Sequence, residues 1–388
     1  MPEKQSLEGE VWEQVIVGDD TGLLKLVALR EGEEGKVLKV LGSQGKGVLE
    51  ILPTVSDMVI VIRQFSVELW NWKEGSMIKS VEFSESILCG IKGQKLRVIT
   101  KCGKLFDFGS WEADDSSTKP EGIPLPVSGE IVSVASCEDG LYLAIKGIPN
   151  PVLISEKNGK FEQVWTGKNQ PDTKLGLKAK FEIKSMIASS PLLIAGDSEG
   201  RVRVYNSGLQ RKCVSEISNV FSAVSNQYAA SDSSVRLRPV TFMCSLVDKK
   251  RVALGDTMGS VVVLDLESKK VAHGFRGVMG SVRALAVSHN SDVLYAVSAG
   301  RFLYRFKTTE NRTLPTKVFL KQKLTAVCVL PDVLLEQQTK RAKIEEEEDE
   351  GLGGQLTGDE EDDEDGSAVE NSEDDEEELD SDDIDSDE

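Results

Sequence analysis

Val15-Ile-Val-Gly-Asp-Asp-Thr-Gly-Leu-Leu-Lys-Leu-Val-Ala-Leu29 holds two apolar-rich runs split by a turn bracketed by glycines. Short apolar runs on either side of a Gly/Asp turn read as a β-hairpin. Similar units begin near Met58 (MVIVIRQFSVELWNW), Leu96 (LRVITKCGKLFDFGS), Leu141 (LYLAIKGIPNPVLIS), Leu192 (LLIAGDSEGRVRVYN), Val252 (VALGDTMGSVVVLDL) and Val293 (VLYAVSAGRFLYRF). Another apolar run precedes most hairpins, as in Val48–Leu52, Ile131–Ala135, Val240–Cys244 and Val282–Val287, and one often follows, as in Val37–Leu41 and Met77–Phe83. Each unit thus supplies four short strands, and almost nothing between them reads as a long helix. Seven such units predict an all-β chain folded as a seven-bladed β-propeller, since solenoid repeats are usually helical or shorter. The first hairpin has no strand before it, because residues 1–10 are polar, while Lys323–Leu330 is a strand with no hairpin of its own. Placed innermost in the first blade, that last strand closes the ring and leaves no open end.

The pentad Gly-Asp-x-x-Gly occurs at Gly18–Gly22, Gly196–Gly200 and Gly255–Gly259. A phosphate loop needs a Lys, a Ser or Thr and a following helix. Each pentad instead sits between two strands, so it reads as a tight turn whose Asp bonds the backbone two residues on and whose Gly accepts positive φ. At the end of the third strand an apolar residue precedes Asp or Asn, in Trp70-Asn71, Phe106-Asp107, Tyr205-Asn206 and Leu264-Asp265. That is the slot of the Trp-Asp dipeptide of WD repeats, here degenerate because only Trp70 keeps the tryptophan. The last unit fits the repeat best, through Gly277–Val282, Leu285–His289 and Leu294–Ser298, although the Gly-His dipeptide at its head is absent.

The net charge of −19 describes no single body. Residues 344–388 hold 26 Asp or Glu and no Lys or Arg; without them the chain keeps 39 acidic against 46 basic residues, a net +7. The sequence predicts a propeller over 10–334 and a disordered acidic tail over 335–388. Trp111–Gly129, rich in Asp, Ser and Pro, and Asn219–Pro239, rich in Ser and Ala, read as surface loops. The six cysteines show no C-x-x-C spacing and read as small core residues of a reducing compartment, so no metal site is expected. Residues 1–10 lack the apolar core of a secretion signal, and no run approaches the roughly 20 apolar residues of a membrane helix. Of the two histidines, His289 reads as a turn residue and His273 as surface. No nucleophile has a His partner nearby in sequence, so neither catalysis nor a cofactor is expected.

Several stretches resemble the WD-repeat nucleolar factors of the Nop-seven-associated type. Val17–Lys25 is similar to that family's first hairpin, and Val252–Leu285, with Phe275-Arg-Gly-Val-Met-Gly-Ser-Val-Arg283, to its sixth blade and the entry to its seventh. Two matches fall outside the generic repeat: Gly167-Lys-Asn-Gln-Pro-Asp-Thr-Lys-Leu-Gly-Leu177 and the basic Lys317-Val-Phe-Leu-Lys-Gln-Lys-Leu324. The resemblance implies a nucleolar, non-catalytic assembly factor of the large ribosomal subunit. It would be a monomer within a larger complex, bound to precursor ribosomal RNA and other assembly factors and removed by an AAA-type ATPase. The candidate RNA or partner contacts are Lys168, Asn169, Asp172, Lys174, Arg283, Lys317, Lys321 and Lys323. The family often ends in a lysine-rich tail, whereas this chain ends in acid, so binding carried by that tail does not transfer. Two other functions fit a propeller with an acidic tail: a chromatin or histone-binding platform, and a substrate adaptor of a ubiquitin ligase.

Overall fold

A computed structural model of the chain describes residues 13–30, 34–42, 45–54, 57–109, 111, 119–169, 181–222, 224, 238–290, 292–308 and 315–330. The expected tail, 335–388, lies outside the described residues, as does the start of the chain.

The described strands form seven four-stranded antiparallel sheets. From the inside outward, blade 1 is Leu324–Val329, Glu13–Asp19, Leu24–Leu29 and Lys36–Leu41, and blade 2 is Val48–Pro53, Met58–Arg63, Ser66–Asn71 and Ser76–Glu82. Blade 3 is Ile87–Lys92, Leu96–Thr100, Lys104–Asp107 and Ile123–Pro124; blade 4 is Ile131–Cys137, Gly140–Ile145, Val152–Lys157 and Lys160–Thr166. Blade 5 is Ile183–Ser189, Leu192–Asp197, Val202–Asn206 and Cys213–Ile217; blade 6 is Val240–Ser245, Arg251–Asp256, Val261–Asp265 and Lys270–Phe275. Blade 7 is Val282–Val287, Val293–Ser298, Phe302–Lys307 and Thr316–Phe319. Successive inner strands are neighbours all the way round, blade 7 beside blade 1, so the ring is closed. The protein is a seven-bladed β-propeller.

Closure is as the sequence predicts: Leu324–Val329 pairs antiparallel with Val15–Asp19. Side chains reinforce that seam. Glu13 of blade 1 accepts from Arg305 Nε (2.7 Å) and Nη2 (3.1 Å) and from the Tyr295 hydroxyl, all on blade 7. Lys25 Nζ donates to Leu320 O at 2.6 Å and to the Gln322 side chain, clasping the connection between the two blades.

The cores lie between blades, where the two-sided sheets stack. One joins Val17, Val27 and Leu29 of blade 1 to Tyr295, Val297 and Leu303 of blade 7. The pentads explain how neighbours approach so closely. In each, the Asp Oδ1 accepts the backbone N–H two residues on, at Thr21 (2.9 Å), Glu199 (2.9 Å) and Met258 (2.8 Å), and the second glycine has φ between 77 and 92°. The first glycine has a different task. A Cβ on Gly18, Gly196 or Gly255 would lie 2.6 Å from the Cβ of Val48, Val240 or Val282, the first residue of the next inner strand. Only a missing side chain lets adjacent blades close to that distance. The WD-slot Asn and Asp cap the turns after the third strands: Asn71 accepts from Lys73 and Glu74 N–H (both 3.1 Å), and Asp265 from Glu267 (2.9 Å) and Ser268 (2.8 Å).

Two expected loops carry more than surface. Within Trp111–Gly129 lie blade 3's outer strand, Ile123–Pro124, and the buried Trp111 and Leu125. At the head of Asn219–Pro239, Val220, Phe221 and Val224 are buried in the core shared by blades 5 and 6. Apolar residues embedded in Ser-, Asp- and Pro-rich runs were enough to draw both segments inward. The cysteines also divide: Cys328 is buried, whereas Cys102 is exposed, its thiol donating to Glu85 at 2.8 Å.

Candidate functional site

Inner strands all run the same way, so the connections into them and the turns between second and third strands crowd one end of the ring. Short, glycine-containing loops there anchor a few residues such as Val278 and Leu320 in the core and leave the others at the surface. On blades 3 to 5 several cations at this end have local partners: Lys104 pairs with Glu85, Lys146 with Glu130 (2.8 Å) and Arg201 with Glu199 (3.1 Å). The sector formed by blades 6, 7 and 1 is different. Arg276, Arg283, Arg301, Lys317, Lys321 and Lys323 are all exposed there, and none is in an ion pair among the described residues. Asp20 is the one exposed acid in the described turns and connections at this end of the sector; Asp19 and Asp256 are buried.

Backbone and buried side chains hold these loops together. Met279 N–H donates to the Tyr304 hydroxyl at 2.9 Å, and the Ser298 hydroxyl donates to Met279 O at 2.7 Å. Ala299 N–H reaches Ser281 O, Leu320 N–H reaches Arg301 O and Asp20 N–H reaches Lys323 O, each at 2.9 Å. The connections at 276–281, 299–301 and 320–323 are therefore one bonded surface with blade 1 at its edge. Arg301 and Lys321 sit at turn tips with φ of 70° and 69°, left-handed positions that L residues enter at a cost. Between the cations stand Met258, Met279 and Phe319, each more than half exposed; Phe319 rests on Phe302 with ring centres 5.1 Å apart, and Lys317 Nζ lies 5.5 Å over the Phe302 ring. Beneath them burial lowers the Lys25 pKa; Asp19 opposes that shift and the nearby Lys321 charge adds to it. Flexible cations beside exposed apolar side chains form a surface that attracts anions through charge and offers rings and thioethers for stacking.

The structure brings together Arg283, Lys317, Lys321 and Lys323 of the sequence-derived contacts. It separates them from Lys168 and Asn169, which leave blade 4's outer strand three blades away around the ring. Lys168 is exposed, its N–H on Arg211 O at 2.7 Å. The Asn169 side chain is occupied within the fold: its amide donates to Pro149 O (2.6 Å) and Asn150 Oδ1 (3.1 Å), and its carbonyl accepts from the buried Tyr205 hydroxyl. It clamps blade 4 to blade 5. Asp172 and Lys174 lie outside the described residues. Sequence reasoning missed Arg276, Arg301 and the three apolar residues. The signal was available, since blade topology puts every such turn of neighbouring blades at one end.

Among the described residues no cluster of His, Cys, Asp and Glu suits a metal ion. His289 is exposed, and its neighbour Ser288 holds the turn through a bond from Val293 N–H at 3.0 Å. His273 is half-buried opposite Val263. Glu50 of blade 2's inner strand, set against the inner strand of blade 3, is an unusual group. It accepts from Gly90 N–H at 2.9 Å, and burial raises its pKa to about 7 despite that bond.

No protein family and no curated protein matches the chain. Among solved structures, the crystal structure of the computationally designed Ika8 protein is similar, with a TM-score of 0.53 and 13% identity over 81% of this chain and 86% of that one. At that identity the likeness is one of fold. Fold and surface together define a seven-bladed β-propeller with one cationic, partly apolar sector.

Proposed function

We propose that the chain is a non-catalytic scaffold in assembly of the large ribosomal subunit, and that it holds precursor ribosomal RNA on the sector formed by blades 6, 7 and 1. The observation that carries this reading is six exposed cations without an ion pair among the described residues. Arg276, Arg301, Lys321 and Lys323 lie in bonded connections and Arg283 and Lys317 on the adjoining strands, with Asp20 the one exposed acid in the turns beside them. Release of counterions from RNA phosphates rewards such a surface, and Phe319 offers a ring for an unstacked base. The same charge argues against histone tails as occupants of this face, since like charges repel. The resemblance of Phe275–Arg283 and Lys317–Leu324 to nucleolar WD-repeat factors supplies the ribosomal context. With it come a nucleolar location, other assembly factors as neighbours and removal by an AAA-type ATPase.

The test reverses Arg301, Lys321 and Lys323 to Glu together, with Lys168→Glu as the comparison on the far sector. The triple variant should leave precursor large-subunit particles in a sucrose gradient and bind structured RNA with a salt slope shallower by about three. Its melting temperature should hold, because exposed substitutions move stability little. Undiminished co-migration of the triple variant with the particles would refute the assignment.

A further inference from the structure

An outer strand is an open edge, with backbone donors and acceptors that invite another strand. Five of the seven blades spoil that edge in the same way. Register breaks against the third strand leave Leu38, Ile78, Val164, Val214 and Ala272 without cross-strand partners, in blades 1, 2, 4, 5 and 6. Such bulges twist the edge and interrupt its hydrogen-bond spacing. Blade 3 spoils its edge differently, with an outer strand of two residues that ends on Pro124.

Blade 7 has neither device. Thr316–Phe319 pairs in unbroken register with Phe302–Arg305, and Leu320 N–H extends the ladder to Arg301 O at 2.9 Å. Peptide direction alternates along an antiparallel strand. Since the Leu320 N–H points into the sheet, those of Val318 and Thr316 do too, and Lys317 and Phe319 turn their N–H and C=O groups outward. Neither residue's backbone has a hydrogen-bond partner beyond the sheet among the described residues. Phe319 is 54% exposed beside this edge, Lys317, Lys321 and Arg301 are exposed around it, and residues 315–324 contain no acid.

We infer that the outer edge of blade 7 is a docking site for a fifth strand, supplied by an extended segment of a partner protein that alternates acidic and apolar residues. Main-chain bonds to Lys317 and Phe319 would hold the strand. Lys317 and Phe319 share one exposed face, so the carboxylates of the added strand would lie on that face and meet the cations there. Its apolar side chains would extend the opposite face, where Val318 is buried. This inference stands apart from RNA binding, because it rests on backbone direction rather than on charge alone.

A fluorescein-labelled Glu-Val-Glu-Val-Glu-Val peptide is the probe, titrated into the full chain at low salt. Lys317→Pro removes an outward N–H and no bond of the sheet itself, a replacement edge strands accept. Lys317→Gln removes the same charge and keeps the N–H. The proline variant should bind the peptide about tenfold more weakly than the glutamine variant, while the two bind RNA equally. In the unmodified chain, peptide should slow hydrogen exchange at the Lys317 and Phe319 amides and leave the outer strands of blades 1 and 2 unchanged, a readout that needs no variant to fold. Equal peptide binding by the two variants, absence of peptide binding by the unmodified chain, or unchanged exchange at those amides would overturn the inference.

Discussion

Replacing Glu50 by Gln should stabilise the propeller at pH 8 and leave it nearly unchanged at pH 5. The carboxyl lies on the inner wall of the ring, where burial also pushes the Cys328 thiol up to about 12 and the Cys89 thiol well above its ordinary range. Its own pKa rises from an ordinary 4.5 to about 7, first through burial, with the Gly90 N–H working in the opposite direction. The folded state therefore holds this proton more tightly than the unfolded chain does. Stability from this group is fully present below 4.5 and is lost as pH climbs through about 7. A shift of that size corresponds to about 3 kcal/mol, which the half-buried state of Glu50 trims to about 2 kcal/mol. Gln has the same shape, can accept the Gly90 N–H and carries no charge, so the variant avoids that loss. With about 2.1 cal/mol/K of unfolding entropy per residue over the roughly 320 residues that the seven blades span, each kcal/mol moves Tm by about 1.5 °C. Calorimetry of both proteins should give a Tm advantage of about 3 °C for Glu50→Gln at pH 8 that shrinks towards zero at pH 5. An advantage independent of pH, or a wild-type chain that is more stable at pH 8, would refute the reasoning.

Gly255→Ala places a methyl 2.6 Å from Val282 Cβ and should cost about 1–3 kcal/mol by overpacking the junction of blades 6 and 7. Adding Val282→Ala should recover part of that loss in urea melts, whereas purely additive effects would mean the glycine is not there for clearance. Deleting 344–388 removes 26 acidic residues and changes the net charge from −19 to +7. Affinity for a structured RNA should then rise, most at low salt where screening is weakest, and equal affinity of both forms at two salt concentrations would deny the tail any inhibitory part.

The blade framework was legible because each blade is a local object. A hairpin such as Val15–Leu29 declares itself through apolar runs and one Gly/Asp turn, and the spare strand at Lys323–Leu330 was left over once the hairpins were counted. Features that depend on a neighbouring blade were not legible. The Gly255 position looks like turn chemistry until Val282 is seen against it. Blade 3's outer strand is too short, at Ile123–Pro124, to show any period inside a polar run. Asn169 reads as a free amide, yet Pro149, Asn150 and Tyr205 use both ends of it. The cationic sector was half legible for the same reason. Lys317, Lys321 and Lys323 are adjacent in sequence, but Arg276 and Arg301 join them only through the ring.

That sector also lies where the ring depends on contacts other than chain continuity. Blade 1 takes its inner strand from the far end of the domain, and its bond to blade 7 rests on the Leu324–Val329 ladder, the Glu13–Arg305–Tyr295 cluster and the Lys25 clasp on Leu320. The exposed cations Lys321 and Lys323 belong to the same connection that Lys25 clasps. An anionic partner laid across Arg276, Arg301, Lys321 and Lys323 would bridge three blades and bind only the closed ring. At a hundred times its dissociation constant such a partner adds about 2.7 kcal/mol to stability by linkage alone. Binding and ring closure then become one equilibrium. Loosening the seam weakens the site even where no contacting residue is changed.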